Sequence, residues 1–430
     1  MMDARADEEK GRETMRLRHK ILGAAAAAAI GMAPIAATAT ELTLFHTWSN
    51  DSEMAALNTI LKAFEDKTGD TIKSASVPHE TAGESPLVSL VVAGTPPNLF
   101  IAAETGFYRD MRDKGLGQEV GTLFDKIGAT QEFPETVRKA ITIDGQIRKI
   151  PTGVHIDGMV YYNKKIAAAA GVDPSKWTSL ADMWADEPKV EKAGYTFIAI
   201  GGNTFQAGYT FHALLAAVAG PDVFNHFYAN PDKTVFDEKG VRDAIDLFLR
   251  IARQTDPGWV NRAWNDTTNT VIAGKALMQI HGDWMKGIWK GAGKKVGEDF
   301  GCINIPGTKA VSVTVDSFGI LGGVKPDVLK AEMDFAATVV DPKVNAQFAF
   351  YKGSSPVRID VPTDRLDACN VLVLDDLKKP NFSVESPFYI ADTDWINSVW
   401  NVMYLAQSDP KMTTDQVIDK LKEQYVAVFK

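Results

Sequence analysis

From residue 40 onward the chain alternates short apolar runs with longer segments whose apolar positions recur every three or four residues. "ELTLF" (41–45) reads as a strand. "SEMAALNTILKAFEDKTG" (52–69) follows, with Met54, Leu57, Ile60, Leu61 and Phe64 on one helical face and Gly69 as its stop signal. "TIKSASV" is the next strand, "SPLVSLVVAG" a helix, and "TPPNLFIA" a turn leading into a third strand. This β-α-β-α-β rhythm predicts a mainly parallel sheet covered by helices. The rhythm returns further on. "IRKIPTGVHIDGMVYYNKKIAAAAG" (147–171) carries two extended runs and then a helix from about Lys164. "YTFIAIGG" is a strand, helices are expected around 207–219 and 238–254, and "KALMQIHGDWMKGIWK" is a strand turning into a helix. "VSVTVDSFGILGG" is extended, and the last hundred or so residues read as mostly helical. With no internal repeat and no low-complexity linker, the pattern predicts an α/β protein of two lobes between which the chain crosses more than once. Ligands of open α/β sheets lie beyond the carboxyl ends of the strands, and a cleft between two such lobes suits a small molecule.

The N-terminal segment departs from this pattern. "MRLRHKILGAAAAAAIGMAPIAATAT" begins at Met15 with Arg16, Arg18 and Lys20, continues as an apolar run from Ile21 to about Ala36, and ends in Ala37-Thr38-Ala39. Basic, apolar and small-residue parts in that order form a secretory signal peptide, and the Ala-rich run is short for a membrane span. Residues 1–39 are therefore read as an upstream extension of fourteen residues followed by the signal peptide, with export to the periplasm. An uncleaved anchor is the competing reading of the same run. No cysteine stands near the cleavage site, so no lipid anchor is expected, and the two cysteines present, Cys302 and Cys369, allow one disulfide in an oxidising compartment. The overall composition, 45% hydrophobic and 23% charged, supplies a sizeable core, and a formal net charge of −9 argues against nucleic acid and anionic membranes as main partners.

Catalytic signatures are scarce: there is no G-x-S-x-G, no H-E-x-x-H, no P-loop and no G-x-G-x-x-G after a strand. His155/Asp157 and His281/Asp283 each have the i,i+2 spacing that shares a strand face, which admits either a metal site or local hydrogen bonding. A structural metal needs three or four convergent ligands, so neither a metal nor a cofactor is expected. What recurs is tryptophan beside polar groups at strand-to-helix corners: Trp48 in "HTWSNDSE", Trp264 with Asn265 in "NRAWNDTTN", and Asp283 with Trp284 in "HGDWMKG". A pyranose offers an apolar C–H face to an indole and hydroxyls to planar polar groups, so this mixture suits a sugar. Core packing is the competing reading for each ring taken singly.

At these corners the sequence resembles the extracellular solute-binding proteins of sugar ABC importers (family 1), particularly a glucose-type branch. "HTWSNDSE" is similar to that branch's HWWTSGGE, and "VVAGTPPNLF" to its A-G-x-P-P turn. "NRAWNDTTNTVIAGKALMQIHGDWMKG" resembles its R-x-W-N…G-D-W-A-x-G block, and "VTVDSFGI" and "YKGSSPVR" its D-S-F strand and K-G-S-x-P-x-R loop. The resemblance runs from about residue 41 to the C-terminus. It implies a two-lobed periplasmic binding protein fold with hinge crossovers, one lobe of 40–153 with 314–350 and the other of 154–313 with 351–430. It also implies a monomer that hands a carbohydrate to membrane permease subunits. The contacts it carries over are Trp48, Glu53, His155, Trp264, Asn265, Asp283, Trp284, Asp316 and Lys352. Other readings stand beside these: Glu53 as the partner of Asn50 in a capping box, Asp316 capping its own strand turn, Lys352 on the surface. Arg358 is assigned a structural ion pair. The branch has tandem Trp where this chain has Thr47-Trp48, polar Gln and Lys where it has Ala102 and Ala103, and a late His-Gly where it has "SPFYIADTDW". These departures make carbohydrate, rather than glucose, the expected class, with a polyol, a sugar acid or a two-carboxylate hydrolase as alternatives. N-terminal sequencing of the exported protein is expected to begin at Thr40; a mature chain still starting upstream of Ile21 would overturn the cleavage reading.

Overall fold

The apolar runs pair into two main sheets. The structure is a computed structural model and describes residues 39–77, 86–101, 105–254, 256–321 and 325–430; the signal peptide and Ala102 and Ala103 lie outside the described residues. The strands are β1 (Glu41–His46), β2 (Thr71–Ser76), β3 (Leu99–Ile101), β4 (Thr142–Ile143), β5 (Gln146–Ile147), β6 (Ile150–Ile156), β7 (Met159–Asn163), β8 (Thr196–Ile198), β9 (Ala276–His281), β10 (Phe300–Asn304), β11 (Val311–Ile320) and β12 (Ser383–Glu385). The first sheet has the order β12-β11-β3-β1-β2, with β6 also paired to β11; the second is β10-β7-β9-β8, and β4 and β5 form a separate hairpin.

The parallel sheet expected from residues 41–101 is present in β1, β2 and β3, and β12 joins β11 and β8 joins β9 in parallel too, but both main sheets as wholes are mixed. β11 is antiparallel to both β3 and β6, and in the second sheet β7 is antiparallel to β9 and β10. β6 leaves the first sheet and enters the second as β7 across only Asp157 and Gly158. So short a link carries the chain directly from one sheet to the other with no helix between. Gly158 is required there, because an added Cβ would stand 2.3 Å from Ala213 Cβ. Both strands of this link are buried along their whole length, and with them the polar side chains of Thr152, His155 and Asn163.

Helices follow the sequence signals closely. Helix α1 (Asp51–Thr68) opens on a capping box between Asn50 and Glu53, ends at left-handed Gly69, and buries Ala56, Leu57, Ile60 and Phe64. Met54 and Leu61 pack only at the margin of that core. The further helices that position the site are α2 (Thr204–Ala219), α3 (Lys239–Ala252), α4 (Trp264–Ile272), α5 (Met285–Gly291), α6 (Pro326–Val339), α7 (Pro342–Lys352), α8 (Ala368–Lys378), α9 (Thr393–Ser408) and α10 (Thr414–Phe429). One core joins β1, β6 and β11 to α1, α6 and α7; another joins the second sheet to α2, α3, α9 and α10. Cys302 on β10 and Cys369 on α8 form a disulfide. No helix among the described residues is long and apolar enough to cross a membrane.

A single amide joins three parts of the first core. Asn345, fully buried on α7, donates to Thr152 O at 2.8 Å on β6 and accepts from Val357 N at 3.0 Å. Asn345→Ala strands both backbone groups away from water, so it should cost about 2–4 kcal/mol. Urea unfolding should show this as a lower midpoint at unchanged slope.

Candidate functional site

The site is built where the two sheets meet. His155 lies near the end of β6, fully buried, with Nδ1 2.5 Å from Asp283 Oδ1 and Nε2 3.2 Å from Asp316 Oδ2. Asp283 comes from the turn after β9 in the second sheet, and its N–H donates to Ile156 O at 3.0 Å. Asp316 comes from β11, where the ladder with β6 shifts register between Asp316 and Ser317. Lys352, the last residue of α7, places Nζ 3.2 Å from Asp316 Oδ2 and 3.7 Å from Glu53 Oε1. Glu53 meanwhile accepts from Ser49 N and Asn50 N, so the cap reading holds and the same carboxylate also faces the lysine. The surface reading of Lys352 fails, since its side chain is 4% exposed. Arg358 is structural: it pairs with Asp360 at 2.6 Å and donates to Val340 O.

These charges hold one another in the ionised state. Burial alone would lower the His155 pKa, but the Asp283 and Asp316 carboxylates outweigh it and raise the group to about 9. Burial works against the Asp316 carboxylate, but Lys352 and His155 hold it well below the usual range. Burial opposes the Lys352 ammonium too, and Asp316 and Glu53 raise its pKa nonetheless. Three carboxylates face two cations, leaving this group of five one net negative charge.

Aromatic rings close the other side. Gly282 has no Cβ, which would otherwise stand 2.2 Å from the Trp284 ring, so the indole folds back over the turn. Trp284 then meets His155 edge-on at 5.3 Å, His281 at 5.2 Å, Tyr209 at 5.3 Å and Trp264 at 6.4 Å between ring centroids. Trp264 opens α4, and its carbonyl accepts from Gln279 Nε2 on β9, which fixes that helix to the second sheet. Trp48 is held differently. It is 1% exposed and packed between Phe318 and Phe348, so the core reading describes its surroundings, and Lys352 Nζ, 5.5 Å from its ring and 5.9 Å from that of Trp284, links it to the others. Asn265 stands half-buried in the first turn of α4 beside Trp264, apart from the ionic group.

Neither His-Asp spacing pairs within itself. His155 takes Asp283 rather than Asp157, while Asp157 accepts from Ser312 Oγ at 2.6 Å and lies 3.3 Å from His212 Nε2. His281 is buried among Phe205, Tyr209, Trp264 and Trp284, and burial, with His212 nearby, lowers its pKa to about 3. Among the described residues no group of three or more His, Cys, Asp or Glu is arranged to hold a metal ion.

Sequence reading missed the rest of the aromatic wall. Phe205 and Tyr209 on α2, Phe388 before α9 and Trp400 on α9 surround the same cluster, with Tyr209 5.5 Å from Trp400 and 5.9 Å from Phe388. Phe205, Tyr209 and His212 share one helical face, a usable signal, but at i, i+4, i+7 spacing it reads equally as core. Phe388 lies within the "SPFYIADTDW" departure.

Comparison with known proteins places the chain. Residues 48–346 match the family described as bacterial extracellular solute-binding protein. A "Probable sugar-binding periplasmic protein" of Brucella melitensis is 30% identical over 378 residues, covering 84% of this chain and 87% of that protein. An uncharacterized ABC transporter extracellular-binding protein of Pyrococcus horikoshii is 28% identical over 337 residues, covering 76% and 74%. Among solved structures, the solute receptor AcbH, described as preferring β-D-galactopyranose, superposes with a TM-score of 0.77 at 17% identity, covering 91% of this chain and 100% of that one. The chain belongs to the bacterial extracellular solute-binding proteins, and its fold is their two-lobed α/β architecture.

The ionic group sets a pH dependence of known sign. His155 binds its proton more tightly folded than free, so its contribution to stability is complete below about pH 6.5 and is lost as pH rises through about 9. Lys286 acts oppositely: its pKa, lowered to about 8 by burial, makes stability rise with pH from there toward the ordinary lysine value of 10.5. The two partly cancel in a melting profile, so the ring itself is the direct readout. Nitrogen-15 shifts should show the His155 imidazolium intact at pH 7.5; a neutral ring at that pH would overturn the assignment.

Proposed function

We propose that this member of a family of sugar-binding periplasmic proteins binds a neutral carbohydrate between its lobes and delivers it, as a monomer, to the permease subunits of an ABC importer. The observation that carries the reading is the pairing of the ionic group with the Trp264–Trp284 wall. Charged groups already locked to one another present oriented donors and acceptors to hydroxyls, and the indoles offer a face for C–H groups. The nine contacts are Trp48, Glu53, His155, Trp264, Asn265, Asp283, Trp284, Asp316 and Lys352, with Trp48 acting from within the core through Lys352. Lobes of 40–153 with 314–350 and 154–313 with 351–430 would close on the ligand by hinge bending. What supports that division is that β1–β3 fall in the first lobe and β7–β10 in the second, with β6 and β11 crossing its boundaries; β12 departs from it by pairing with β11 in the first sheet.

Charge distinguishes this reading from a sugar-acid receptor. Lys352 is committed to Asp316 and Glu53, and His155 to two aspartates, so an added carboxylate meets a group that is already net negative. A two-carboxylate hydrolase needs one carboxyl kept protonated near neutral pH. Asp316 is held far on the ionised side; Glu332, which burial raises to about 7, bonds Asn98 on another part of the first sheet.

A thermal-shift panel tests this. At least one of D-glucose, D-galactose, D-xylose or maltose should raise Tm with concentration as RT ln(1 + [L]/Kd), and be recovered unchanged, while D-glucuronate should not. Stabilisation by glucuronate above that by glucose would overturn the neutral assignment, and turnover of the sugar would overturn the transport reading. Trp264→Ala and Trp284→Ala should each weaken binding of the responding sugar more than tenfold, about 1.4 kcal/mol or more, by titration calorimetry.

A further inference from the structure

Behind the Asp283–Trp284 turn lies a second ionic arrangement that the sugar contacts do not include. Lys286, 1% exposed, and Lys290, both on α5, converge on the single carboxylate of Asp367, with Nζ 3.3 Å from Oδ1 and 2.8 Å from Oδ2. Asp367 is fixed independently. It is the N-cap of α8, accepting from Cys369 N and Asn370 N at 3.1 Å, while Asn370 Oδ1 accepts from Asp367 N. The next residue but one, Cys369, is covalently tied to Cys302 on β10. Asn370 also donates to Ser354 O and Ser355 Oγ, in the loop that follows Lys352. α5 itself lies tightly on that loop: a Cβ on Gly287 would stand 2.8 Å from the carbonyls of Tyr351 and Lys352.

We propose that Asp367 is a positioning residue of the binding site, holding α5 through Lys286 and Lys290 so that Asp283 and Trp284 keep their geometry, and that the Cys302–Cys369 disulfide holds Asp367 in turn. Burial of the Lys286 ammonium, which lowers its pKa, means that the lysine depends on this carboxylate to stay charged at its place. Binding of sugar at Asp283 and Trp284 rests on the function proposed above; the positioning of α5 does not.

Asp367→Asn separates the two roles of this side chain, because Asn caps a helix about as well as Asp but carries no charge. Amide hydrogen exchange of the ligand-free protein reads the positioning without any sugar. Residues 284–291 should exchange about tenfold faster in the variant, with α8 and α1 unchanged. Wild type with the disulfide reduced by a phosphine should change in the same direction. Lys290→Gln, at a partly exposed position, should give a smaller version and serves if Asp367→Asn does not fold. Calorimetry with the neutral sugar that responds in the panel should then show a several-fold weaker Kd for Asp367→Asn. Wild-type exchange across 284–291 in the variants would overturn the proposal whatever the sugar does. Faster exchange with unchanged sugar affinity would overturn the link to the site, and failure of wild type to bind any panel sugar would fall on the proposed function alone.

Discussion

The contact on which the site depends is the His155 imidazolium held between Asp283 and Asp316. It joins a strand of the first sheet to a turn of the second and to β11. Such burial is costly for each ion alone, and it is tolerated because each ion has a partner of opposite sign. Lys352 extends the chain of charges to Glu53, and so to the first turn of α1. On the function proposed, a ligand hydroxyl entering this group would meet donors and acceptors whose orientations are already settled, which would lower the ordering cost of binding.

The aromatic side is organised by small residues as much as by the rings. Gly282 gives Trp284 room to fold back, Gly287 lets α5 rest on the end of α7, and Gly208 admits the Trp400 ring, 2.2 Å from where a Cβ would be. The tryptophans therefore stand on rigid, closely packed backbone. On the proposed positioning role, small shifts in α5 would pass to Asp283 and Trp284, because a dense interior has little slack to absorb them.

Helix and strand positions were largely legible in the chain. The capping box at Asn50 and Glu53, the stop at Gly69, and the strand-to-helix turn at residues 276–291 follow from local rules that operate within a few residues. The G-D-W and K-G-S-S-P segments pointed to the family, and the comparisons bear that out. Strand direction was read less well. β11 runs antiparallel to β3 and β6 and parallel to β12, partners far away along the chain, so no local pattern encodes its direction.

The chain by itself determined the α/β class, the placing of most helices and strands, the family, and the residue types gathered for the site, because periodicity, caps and motifs are written in local order. Tertiary structure alone decided which charges face each other. His155 and Asp157 are two residues apart and find different partners, while His155 meets Asp283 across 128 positions and Asp316 across 161. It also decided that Trp48 is packed in a core while Trp284 stands in an aromatic wall with Tyr209 and Trp264, and that Cys302 reaches Cys369. The reason is physical: a pair separated by more than a hundred residues is set by how sheets and helices pack, and no local pattern encodes the partner.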